Sequence, residues 1–220
     1  MRRFRDIEFK IAADGSSASG KTTGGKLIAK KFKMSFLSSG TLYRFCAFKL
    51  LESRSACNIK FINKTVKSLN LNKLKNKKLY SPEVSRLSSI IAKKHFVRKA
   101  LKNFQINFIK ESKLVVVEGR DIGSKIMPNA DLKLFFTCSI KEKAKRRLKE
   151  FQIMNNNIKL KEVEKALIQR DKDDTKRKIS PLIMTKNAVL VDTTKLSIKQ
   201  MEAKLVNLVR NSIKKKYGNL

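Results

Sequence analysis

Residues 14–23, DGSSASGKTT, constrain this chain more than any other stretch. Alone they form a polar run of small side chains that cannot build a core. Their neighbours give them another meaning. Residues 7–13 alternate and then turn fully apolar, through Ile7, Phe9 and Ile11 to Ala13, the pattern of a buried strand. Residues 20–32 read as the helix that follows. Between the two, Gly15, Ser16, Ser17, Ala18, Ser19, Gly20, Lys21 and Thr22 match G-x-x-x-x-G-K-[ST] in full. Small residues let the backbone curl its N–H groups around phosphates, and the helix start behind them adds positive potential. Lys21 is expected to reach the β- and γ-phosphates of ATP, Thr22 to ligate Mg²⁺, and Thr23 to complete the nucleotide cradle. Asp14 either holds a water on that Mg²⁺ or caps the turn; both readings stand.

The rest of the chain repeats the strand–helix alternation. Residues 34–40 read as a short strand and 41–52 as a helix. Residues 53–80 are rich in Lys and Asn and show no sustained period. Ser81 and Pro82 open a helical pattern that continues, with a break, to about residue 110. LVVVE (114–118) and LKLFFTC (132–138) are apolar runs of the kind found in strands covered on both faces. Between them lies a loop. Residues 139–151 read as a basic helix, 155–157 as a turn, 161–170 as a helix and 187–194 as a last strand, with a capping box at 197–200 opening the C-terminal helix. Strands that alternate with helices imply an α/β fold on a parallel sheet with right-handed crossovers. Ligands of such sheets bind at the carboxyl ends of the strands.

Bulk composition narrows the partners. The net charge of +34 invites a polyanion, but the Lys residues spread along the whole chain rather than in one block. No aromatic-interleaved basic motif, zinc finger or RNA-binding signature accompanies them, so no specific nucleic acid is expected. Three separated cysteines and one histidine are too few for a zinc site. No apolar run is long enough to span a membrane, and the basic N-terminus is followed by no secretory core, so a cytoplasmic monomer is expected.

A charged acceptor needs cations to clamp it, best of all the planar fork of Arg. In a chain that uses Lys almost everywhere, the retained Arg residues stand out: Arg44, Arg98, Arg120, Arg146, Arg147, Arg170 and Arg177. Arg120 directly follows a buried strand and a glycine, next to Asp121. Taken in order, DGSSASGKTT, SSGTLYR, VVVEGRDIG, PNADLKLFFTCSIKEKAKRR, RDKDDTKRKISPL and AVLVDTTKLS resemble the bacterial cytidylate kinases over residues 7 to about 210. The resemblance implies ATP-dependent phosphorylation of CMP or dCMP with Mg²⁺. It implies a P-loop three-layer fold with a five-stranded parallel sheet: a core at 1–48, 111–150 and 178–220, a monophosphate-binding insert at about 49–110 and a mobile lid at about 151–177.

By the same motifs, Ser39 and Arg44 are expected at the acceptor, Arg44 on its phosphate. Ser89 and Arg98 are expected at the cytosine, Arg120 and Asp121 between phosphate and base, and Arg170, Asp174 and Arg177 at ribose and phosphate from the lid. Lys21, Arg120, Asp121, Arg170 and Arg177 form the expected catalytic set. The base chemistry agrees: cytosine offers one exocyclic amino donor and two acceptors, which suit Asp121 and the pair Arg98 and Ser89, whereas uracil inverts two of those positions. The chain departs from the family pattern in reading DGS for DGP, in having Ser38 where an acidic residue usually precedes SG, and in the short lysine-rich insert. Kinases for another monophosphate such as UMP, or a basic nucleic-acid-associated P-loop protein, are the alternatives.

Overall fold

In a computed structural model, which describes residues 7–153 and 158–218, five strands form one parallel sheet ordered β2-β3-β1-β4-β5. The strands are β1 (Phe9–Gly15), β2 (Ser35–Ser38), β3 (Leu114–Gly119), β4 (Leu132–Thr137) and β5 (Ala188–Asp192). The order places β1 at the centre, where connections leave toward opposite edges. The crevice at its carboxyl end is therefore the place for a ligand. Asp14 pairs in register with Gly119, and Ser38 with Glu118, so the turn after β1, the EGRD turn and the start of the helix after β2 share one level of the sheet.

Alternation along β3 explains its unbroken apolar run. Val115 and Val117 point into one core, with Leu37, Leu42 and Phe45; Val116 points into the other, with Phe9, Ile11, Phe136 and Leu205. α1 (Lys21–Phe32) and α8 (Ile198–Tyr217) cover the second face, and α2 (Ser39–Ser53) the first. The 49–110 segment is helical and joins the first core rather than building its own: Ile62, Leu79, Val84, Ile91, Val97 and Leu101 are buried in the cluster that holds Leu37 and Val115.

Two parts differ from the sequence reading. The stretch read as irregular contains α3 (Ile59–Lys67), whose Asn58 cap accepts from Phe61 N at 2.9 Å, and two short 3₁₀ turns. The break read in the helical pattern from Pro82 is present, between α4 (Pro82–Ile91) and α5 (His95–Lys110); Arg98 Nη1 donates to the carbonyl of Ala92 there, at 3.1 Å. α6 (Ile140–Gln152) and α7 (Leu160–Lys176) pack on each other through Ala144, Phe151, Val163 and Leu167. α7 runs six residues beyond the helix read at 161–170, which puts Arg170 and Asp174 one turn apart on one face. The turn read at 155–157 lies outside the described residues.

Candidate active site

The loop after β1 has the shape its residues promised. Gly15 is required by contact: a Cβ there meets the Phe136 carbonyl oxygen at 2.4 Å. Gly20 caps α1 at a φ of +83°, a left-handed value that favours glycine. Ser19 Oγ and Lys21 Nζ both donate to Ser16 O at 2.9 Å, and Thr193 Oγ1 donates to Ser19 O at 2.9 Å. Arg146 in turn donates to Thr193 Oγ1 and to Thr193 O, so the loop is fastened to the end of β5 and to α6. Burial, reinforced by the Arg120 charge, lowers the Lys21 ammonium to about 7.

Glu118 is a site residue that the sequence reading left unassigned. Thr22 Oγ1 donates to its Oε1 at 3.0 Å, Ser38 Oγ donates to the same oxygen, and Lys21 Nζ stands 3.9 Å from Oε2. Ser38 thus orients an acid. Asp14 sits elsewhere in the network. Its two carboxylate oxygens accept from Ile122 N at 2.8 Å and Gly123 N at 2.7 Å, which ties the end of β1 to the turn that follows Arg120 and Asp121. Burial raises its carboxyl to about 6 against those hydrogen bonds.

A cavity of about 500 Å³ opens above this loop. Arg44, Arg120, Arg147 and Arg170 reach it from four different elements, with Lys21 at its floor. A second cavity, about 60 Å³, is lined by Ser39, Tyr43, Ser89, Arg98 and Asp121, and by Asp174 and Arg177 of the lid side. Gly40, Arg120 and Arg170 border both, so the two spaces meet at the two arginines. Every acceptor residue expected from the sequence lines one or the other, Arg44 only the larger.

The smaller space is filled by its own ion pairs. Arg98 Nη2 donates to Asp121 Oδ2, with the guanidinium 5.5 Å over the Tyr43 ring. Asp174 takes Arg120 Nε at 2.7 Å on one oxygen and Arg177 Nη1 at 3.3 Å on the other. Burial alone pushes the Asp174 carboxyl up, but Arg120 and Arg170 outweigh it and hold it below its usual value. At about 60 Å³ this space is far below the roughly 300–1,000 Å³ of pockets that hold small molecules, so its ion pairs would have to part to admit one. Helix α7 is tied to the phosphate loop as well: Asp171 accepts from Ser17 N at 3.3 Å and pairs with Lys143.

The family model for cytidylate kinase matches residues 11–211. This chain belongs to the cytidylate kinase family. A cytidylate kinase of Thermotoga maritima is 37% identical over 214 residues, spanning 92% of this chain and 97% of the relative. One of Rickettsia felis is 35% identical over 206 residues, 93% of each. Among solved structures, an uncharacterized protein from Eubacterium ventriosum superposes with a TM-score of 0.55 at 12% identity, over 92% of this chain and 99% of that one. TT1252 from Thermus thermophilus does so at 0.51 and 16% identity, over 94% and 98%. At such identities these two show the fold alone.

The residues around Thr22 suit a small, hard divalent cation. Thr22 gives its proton to Glu118, which leaves its oxygen lone pairs for a metal, and Glu118 brings a carboxylate beside it. No three His, Cys, Asp or Glu converge among the described residues. Mg²⁺ keeps waters and phosphate oxygens in its shell and asks the protein for one or two ligands, which Thr22 and Glu118 could supply. Among the described residues no helix is long and apolar enough to cross a membrane.

Proposed function

We propose that this chain transfers the γ-phosphoryl group of ATP to CMP or dCMP, giving ADP and CDP or dCDP. Family membership supports the reaction, and one observation supports the division of labour: the phosphate loop and the base-sized niche beside Asp121 meet at Arg120 and Arg170. The loop from Gly15 to Thr23 binds the donor phosphates with its N–H groups, and Lys21 adds a cation as they arrive. Thr22, with Glu118 beside it, would hold Mg²⁺, which would neutralise phosphate charge.

Arg44, Arg147 and Arg170 bind the acceptor phosphate. Arg120 and Arg170, at the junction, offset the charge that builds on the moving group. Ser39 and Asp174 hold the acceptor's sugar side, with Arg177 behind Asp174. Asp121 accepts from the cytosine amino group, and Arg98 and Ser89 donate to its ring nitrogen and carbonyl. No side-chain base is needed, because positioning and charge neutralisation do the work of phosphoryl transfer. The lid helix excludes water, which suppresses ATP hydrolysis.

The base assignment is tested by Asp121→Asn. An amide in place of the carboxylate turns one acceptor into a donor. CMP kcat/KM should fall by about tenfold or more, for ~1–3 kcal/mol of mispaired polar contact, while UMP gains relative to CMP. An unchanged CMP to UMP ratio removes Asp121 from base reading.

A further inference from the structure

Ser85 lies on α4, in the inserted segment, and is buried. Its hydroxyl oxygen is the common acceptor of three guanidinium groups: Arg44 Nη2 at 3.1 Å, Arg147 Nη2 at 3.1 Å and Arg170 Nη1 at 3.0 Å. The three arginines come from α2, α6 and α7. Ser85 is thus the point at which core, insert and lid converge.

The arrangement is short of two things. A hydroxyl oxygen has two lone pairs, so three donors exceed what it can accept, and it is neutral, so it offsets none of the three charges. Burial, followed by the charges of neighbouring arginines, lowers Arg44 to about 9 and Arg170 to about 10. Arg170 Nε is buried with no hydrogen-bond partner. Arg147 Nη1 also pairs with Glu150 and Arg44 Nη1 donates to Leu79 O, yet three guanidinium groups still share one neutral hydroxyl; that shortfall of oxygens and negative charge matches a phosphate, which brings three oxygens and about two charges. With its lone pairs turned to the arginines, Ser85 has its own O–H to give to one of those oxygens.

We propose that Ser85 is a positioning residue for the acceptor phosphate: its hydroxyl gathers Arg44, Arg147 and Arg170 into one cradle before the nucleotide arrives and passes them to the phosphate oxygens when it does. This rests on the reading that a nucleoside monophosphate is the acceptor here.

The test uses the full chain with Ser85→Ala, Ser85→Thr and Ser85→Asp. Ser85→Ala should raise KM for CMP about tenfold, the equivalent of one lost charge-assisted hydrogen bond, and leave KM for ATP within about twofold. Ser85→Thr, which keeps the hydroxyl, should restore it. Ser85→Asp places a carboxylate among the three guanidinium groups. It should melt above the parent protein and no longer gain melting temperature from inorganic phosphate, which stabilises the parent. A structural role alone predicts the reverse for Ser85→Asp, because a carboxylate buried at a merely structural site lowers the melting temperature. The proposal is overturned if Ser85→Asp melts below the parent, or if Ser85→Ala moves both KM values together or neither. The melting comparison needs no turnover. If the parent does not use CMP yet the melts behave as described, the choice of acceptor fails and the anion cradle stands.

Discussion

Lys21 shows how much a single burial can decide. Its ammonium is folded under the phosphate loop, and removal from water lowers it to about 7 from an ordinary value of 10.5. Between those two pH values the unfolded chain holds the extra proton, so this group makes the free protein more stable as pH rises through that window. Triphosphate oxygens reverse the effect by favouring the charged form. At pH 8, ATP binding should therefore take up a proton, up to about one per nucleotide. Calorimetry in buffers of different ionisation enthalpy reads this directly. Heats that do not depend on the buffer contradict it. At the same scale, Glu118 and Arg147 show what a sequence conceals. Glu118 ends an apolar strand and carries no motif of its own; its role comes from register with Ser38 and the reach of Thr22. Arg147 stood out as a retained arginine, but only the tertiary fold brings it, from α6, to Ser85 on α4.

Helix α7 is the element whose extent was hardest to read. Its last turns, QRDKDDTK, have no apolar period, because ion pairs and not a hydrophobic face hold them: Arg120 and Arg177 to Asp174, Lys93 to Asp173, Lys143 to Asp171. By contrast β1, β3 and β4 were plain from their apolar runs, and α8 from its capping box, which both Ser197 and Gln200 complete. α3 had a weak signal, Asn58 followed by Ile62 and Val66 at helical spacing, submerged in lysines. The Asp171 contacts also predict behaviour. Asp171→Asn removes the charge that pairs with Lys143 and weakens the tie to Ser17 N, so amide hydrogens of α7 should exchange faster in the nucleotide-free protein. A bisubstrate analogue, which crosslinks lid and core through its phosphates, should abolish the difference. Equal exchange in the free proteins would show that α7 is held down without Asp171.

At the scale of the whole molecule the surface charge is a field rather than a site. A net charge of +34 draws polyanionic substrates toward the crevice from beyond contact distance. Salt screens such attraction over a Debye length of about 8–10 Å. The value of kcat/KM for CMP should fall severalfold as ionic strength rises, with kcat nearly constant; a matching loss in kcat would place the salt effect in the chemical step. The fold then focuses what the field collects: a central strand delivers the phosphate loop, its neighbour delivers Glu118, Arg120 and Asp121, and α7 places Arg170 at the junction. The central claim is that this junction accepts a cytidine monophosphate. It is tested most directly by ADP release from ATP and Mg²⁺ with CMP, dCMP, UMP, AMP and GMP offered in turn. Release driven by CMP and dCMP far above the other three is the predicted result; equal release with all five, or release driven by another monophosphate, contradicts it.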